Sequence, residues 1–86
     1  MFVVELQKGG QAILLALEGD RGTLRSATAS APGSRLAILV DGRTLRMKVH
    51  RCVREGEQFV VAGRFIDLTR DLRDRLTHAL DESLAL

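Results

Sequence analysis

The 86-residue chain is 45% hydrophobic and 28% charged, the composition of one compact domain, and its length leaves no room for a second domain or a deep multi-substrate cleft. A single cysteine, Cys52, forbids an internal disulfide framework, and with only His50 and His78 beside it there are too few soft ligands for structural zinc. No apolar run approaches the roughly 18 residues of a membrane helix and no basic start leads into a cleavable apolar segment, so no membrane insertion is expected and the cytoplasm is the expected compartment.

Glycine-containing turn signals fall close to every ten residues, at Gly9-Gly10, Gly19-Asp20, Asp41-Gly42 and Glu55-Gly56, with Pro32-Gly33 between the second and third. Each separates runs rich in β-branched or large apolar side chains, and glycine supplies the positive φ that a two-residue hairpin needs. Six short strands follow, near 2–7, 11–18, 22–27, 35–40, 43–53 and 57–66, read as a meander. Closure into a barrel is expected, because it removes the unpaired edges of an open sheet. Between the third and fourth strands, the small-residue segment from Ser26 to Ser34 reads as a long loop.

The fifth run has the clearest period of two. Leu45, Met47, Val49 and Val53 fall on a dry face, while Arg46, Lys48, His50, Cys52 and Arg54 fall on a basic one. Arg51 breaks the alternation, and a β-bulge near His50-Arg51 would restore it. In the sixth run Phe59, Val61 and Phe65 alternate with Gln58, Val60 and Arg64, and Gly63 permits a close backbone approach.

After Asp67 the period changes to about 3.6. Leu68, Leu72, Leu76, Leu80 and Leu84 recur every four residues, with Thr69 as N-cap and Asp71 and Asp74 early, predicting a helix over about 70–83. Pairs spaced four apart, Arg70 with Asp74, Asp71 with Arg75 and Asp74 with His78, suit an outer face. The stripe Leu72, Leu76, Leu80, Leu84 has to cover either the open barrel end or a second copy of the chain.

A net charge of +2 conceals an uneven distribution: from Arg21 to Arg54 there are eight basic residues against Asp41 alone. Such a segment attracts phosphate, acidic protein surface or nucleic acid. The candidate interaction patch is Arg43, Arg46, Lys48, His50 and Arg54. Catalysis has little to stand on. His50 and Cys52 share a strand face but have no third, orienting group, and Ser26, Ser30, Ser34 and Ser83 lack a nucleophile-elbow context. No phosphate-binding glycine motif is present. The chain is therefore expected not to be an enzyme and to need no metal.

The run from Pro32-Gly33-Ser34 through Arg35-Leu36-Ala37-Ile38-Leu39-Val40, the strand opened by Gly42-Arg43, and Phe59-Val60-Val61-Ala62-Gly63-Arg64-Phe65-Ile66-Asp67-Leu68 together resemble the second half of a PilZ domain. The resemblance covers residues 22–83 approximately. It implies a small six-stranded antiparallel barrel with a C-terminal helix, mainly β, as one domain over 1–86. It also implies a bacterial cytoplasmic module tied to cyclic di-GMP signalling or to flagellar, pilus or surface motility. Ligand-binding members carry an RxxxR segment before the first strand and a DxSxxG segment after the second. Here Lys8 is the only basic residue before Arg21, and the second position reads Gly19-Asp20-Arg21-Gly22-Thr23-Leu24-Arg25, with no serine two residues after Asp20.

A noncanonical protein-interaction module, without cyclic di-GMP bound by the usual motifs and without another cofactor, is the expectation. Two alternatives stand beside it. In one, Asp20, Arg21, Gly22 and Arg25 form a substitute cyclic di-GMP site. In the other, the basic barrel face binds nucleic acid, against which stands the scarcity of aromatics for stacking: Phe2, Phe59 and Phe65 only.

Overall fold

The computed structural model describes residues 2–40 and 42–84, the last two by backbone alone. Six strands and a helix follow in chain order: β1 (Phe2–Leu6), β2 (Gln11–Glu18), β3 (Arg21–Ser26), β4 (Arg35–Val40), β5 (Arg43–Glu55), β6 (Gln58–Phe65) and α1 (Arg70–Leu84). The strands close into an antiparallel barrel in the order β1-β2-β3-β6-β5-β4. The expected meander therefore holds only within each half. Tight glycine turns keep β1, β2 and β3 side by side, and likewise β4, β5 and β6. The connection over 27–34 has its own tight turn, where Ser34 N–H donates to Ala31 O at 3.0 Å, but that turn does not pair β3 with β4, and the segment carries the chain across so that β4 lies beside β1 and β3 beside β6. That connection ends by extending the β4–β5 ladder: Gly33 N–H donates to Val49 O at 2.7 Å, and Val49 N–H donates to Ser34 O at 2.9 Å.

Two bulges shape the wall. In β5 the register with β6 slips between Val49, opposite Gly63, and Arg51, opposite Ala62, leaving His50 as the extra residue. The slip inverts the alternation beyond it. Cys52 turns inward and is half-buried against the core, while Val53 points out at 43% exposure. The expected placement of Cys52 on the basic face and Val53 on the dry face is thereby reversed, because one extra residue in a period-two chain exchanges the faces. A second slip, in β2 between Leu14 and Ala16, had no signal in the alternation.

The interior is solid. Leu14, Leu24, Ile38, Leu45, Met47, Val49 and Val61 are essentially without solvent contact, each burial contributing about 1.5–3 kcal/mol. Two facing glycines make the packing possible. Gly22 lies opposite Gly63 on β3 and β6. A Cβ on Gly22 would meet the Phe65 ring at 2.5 Å, and one on Gly63 would collide with the Lys48 carbonyl oxygen just before the bulge.

Helix α1 packs against β1 and β2 and joins the same core. Thr69 caps it, its Oγ1 accepting from Leu72 N–H at 3.2 Å. Leu72, Leu76 and Leu80 are 4%, 1% and 6% exposed, so the chain's own barrel covers the stripe and these leucines require no second copy. The side chain of Leu84, the fourth member of that expected interface, lies outside the described residues. Of the expected helix pairs, Asp71 with Arg75 forms at 3.5 Å, whereas His78 takes Glu82 at 3.0 Å rather than Asp74. No described helix is long and apolar enough to cross a membrane.

Candidate functional site

The closure between β3 and β6 brings four cations into one row. Arg35 on β4 stands opposite Lys48 on β5, Lys48 opposite Arg64 on β6, and Arg64 opposite Arg21 on β3. All four are exposed on the outer surface. At the usual strand spacing of about 4.8 Å the row runs for roughly 14 Å. Directly opposed like charges destabilise a sheet, so an arrangement of this kind has an electrostatic cost within the free protein. Two acids moderate it. Glu18 stands opposite Arg21 at the row's end, and Asp20, in the turn between β2 and β3, accepts a 2.6 Å hydrogen bond from Arg64 Nε. That bond, more than any other influence, holds the Asp20 carboxyl below its ordinary value.

Beside the row lies an open hollow of about 540 Å³, lined by Arg21, Arg64, His50 and Glu18 around a floor of small residues. The floor forms because Ala16, Thr23 and Ala62 are successive cross-strand neighbours on β2, β3 and β6. His50 reaches the hollow as the extra residue of the β5 bulge.

Four residues further along β3 and β6, about 13 Å at strand rise, a second row crosses the same outer face. It consists of Val3, Ile13, Arg25, Val60 and Val53, each opposite the next on β1, β2, β3, β6 and β5. Val3 is 56% exposed and Val53 43%, with Ile13 and Val60 half-buried. Arg25 contributes its apolar stem here and turns its head to Glu55 at 3.4 Å.

The sequence-derived candidates are thus divided. Asp20, Arg21 and Gly22 do meet near the hollow, but Gly22 serves the interior by making room for Phe65. Arg25 does not join them, since Glu55 holds it in the other row. In the expected patch on β5, His50 borders this hollow, and His50 and Lys48 border a neighbouring one of about 390 Å³ with Asp20 and Arg64. Arg46 is engaged with Asp67, Arg43 lies 3.9 Å from Asp71, and Arg54 donates through Nε to Gly56 O at 3.1 Å. Arg35 and Arg64 were not singled out from sequence. Their signal was hairpin register, since counting pairs back from each turn places both beside Lys48. Among the described residues no three His, Cys, Asp or Glu side chains gather as a metal site.

Fold and surface together define a small closed antiparallel β-barrel, one end covered by a helix, with a basic row and an apolar row on its outer wall. No family model matches the chain, and no curated protein or solved structure does.

Proposed function

We propose that this chain is a noncanonical PilZ-like interaction module, cytoplasmic and non-enzymatic, acting in bacterial cyclic di-GMP-related signalling or motility by binding a protein. The observation that carries this reading is the cation row Arg35–Lys48–Arg64–Arg21 on the outside of a barrel whose interior is filled. A packed core offers no internal ligand cavity, so recognition falls to the outer wall. The one-signed row supplies electrostatic complementarity to an acidic surface. The six-stranded barrel with its C-terminal helix agrees with the architecture the resemblance implies.

Cyclic di-GMP recognition by substitute arginines has little support in the geometry. Asp20 is occupied by Arg64, and Arg25 is turned away to Glu55. Without several bidentate arginine contacts, binding tighter than about tens of micromolar is not expected. Calorimetric titration with cyclic di-GMP tests this, and a submicromolar isotherm would overturn it.

The same row favours a second reading, nucleic-acid binding through phosphates. Opposing it, none of Phe2, Phe59 and Phe65 is exposed, so no aromatic platform is offered to a base. Steep loss of affinity for a single-stranded oligonucleotide with added salt is the signature of that reading.

A further inference from the structure

We infer that the wall between the two rows is a docking trough for an amphipathic helical segment of a partner protein, one flank acidic and the other apolar. This deepens the interaction-module reading and rests on it.

The width, the floor and the unlike margins all point to that occupant. Arg21 and Arg64 stand on one margin, and Arg25 and Val60 on the other, four residues along β3 and β6. The backbone positions of the two rows lie about 13 Å apart, a spacing comparable to the diameter of one α-helix with its side chains, about 10–12 Å. On β5 the exposed Arg51 stands opposite Ala62 and adds a cation at that end of the floor; elsewhere between the margins Thr23 and Ala62 face each other, and Ala16 continues the line on β2. These small side chains let a helix approach the sheet closely. One margin carries positive charge and the other exposed valine, so a helix seated between them has to present carboxylates to Lys48 and Arg64 and apolar side chains to Val60 and Val53. A helix with opposite flanks of this kind is read by groove-binding proteins through anchors spaced three and four residues apart. The apolar margin has no use for a phosphate backbone, and this favours protein over nucleic acid.

Lys48 and Val53 are the residues that separate this proposal from its rivals. Both are exposed, and neither side chain has a hydrogen bond or ion pair among the described residues, so both tolerate substitution. The experiment uses the full isotopically labelled chain and amide chemical-shift mapping. Its probe is a capped synthetic helix of about 14 residues with glutamates along one flank and leucines along the other. Comparison probes are the same helix with glutamine for glutamate, an oligoglutamate of equal charge, and a single-stranded oligonucleotide of equal charge.

The amphipathic helix is expected to shift amides in both rows, and to bind at least about tenfold more tightly than either the glutamine helix or oligoglutamate. Lys48→Glu and Val53→Asp, each with an unchanged fold by circular dichroism, are each expected to weaken it by about tenfold. Overturning results are the absence of shifts at millimolar peptide, unchanged affinity in either variant, or oligonucleotide binding as tight as the helix. Binding of the helix together with submicromolar cyclic di-GMP binding would leave the trough standing and overturn only the broader reading.

Discussion

Arg46 grips the carboxylate of Asp67 at both oxygens, its backbone N–H donating to Oδ1 at 2.9 Å and its Nε to Oδ2 at 3.2 Å. Together with Ile66 N–H on Arg46 O at 2.9 Å, this fastens the junction between β6 and α1 to β5. Arg46 is therefore a structural residue, and its replacement by glutamate would set two carboxylates against each other. Asp67→Ala is expected to cost about 0.5–1.5 kcal/mol, the net worth of an ordinary hydrogen bond. Urea midpoints compared with those of the parent protein check the value.

The same pair makes stability pH-dependent. The Arg46 backbone N–H, followed by its guanidinium, holds the Asp67 carboxyl below its ordinary value, and Arg64 does the same for Asp20. A carboxyl depressed in the folded state binds its proton less readily than in the unfolded chain. Its contribution is complete above the unfolded value of about 4 and disappears as the pH falls through the lower folded value. Urea midpoints are expected to decline below about pH 4, and the Asp67→Asn, Asp20→Asn double variant should show a flatter decline.

Lys48 stands between Arg35 and Arg64, so reversing its charge converts two repulsive neighbours into attractive ones. Lys48→Glu is expected to raise stability by roughly 0.2–1 kcal/mol, the gain shrinking with added salt. The change is favourable to folding and unfavourable to capture of an acidic partner. A thermal melt at low and high ionic strength gives the first half of that contrast, and a lowered melting temperature at low salt would refute it.

Gly22→Ala would place a methyl group against the Phe65 ring in a closed core. Overpacking of that kind costs about 1–3 kcal/mol. Phe65→Leu in the same chain should recover part of the loss, and a double-mutant cycle measures the coupling. Additive losses from the two substitutions would show that the ring is not what excludes a side chain at position 22.

Leu76 has 1% exposure within a single chain. Leu76→Ala is expected to cost about 2–5 kcal/mol. Because the barrel itself covers the stripe, the melting temperature of parent and variant should not change with protein concentration. A rise with concentration would mean that association contributes to folding.

The turns and alternations by themselves determined the elements and two of the three contacts in the cation row. Counting back from Gly42 pairs Arg35 with Lys48, and counting back from Gly56 through a bulge at His50 pairs Lys48 with Arg64. A tight turn sets register locally, which is why these pairings were legible in one dimension. Only the tertiary structure placed Arg21 beside Arg64 and gave Arg25 to Glu55 and Arg46 to Asp67. No turn joins β3 to β6. Their pairing is chosen by the whole barrel, which closes only when both three-stranded halves share one core and no edge remains unpaired. Closure of that kind depends on contacts far apart in the chain, and no periodicity within a strand encodes which strand will lie beside it.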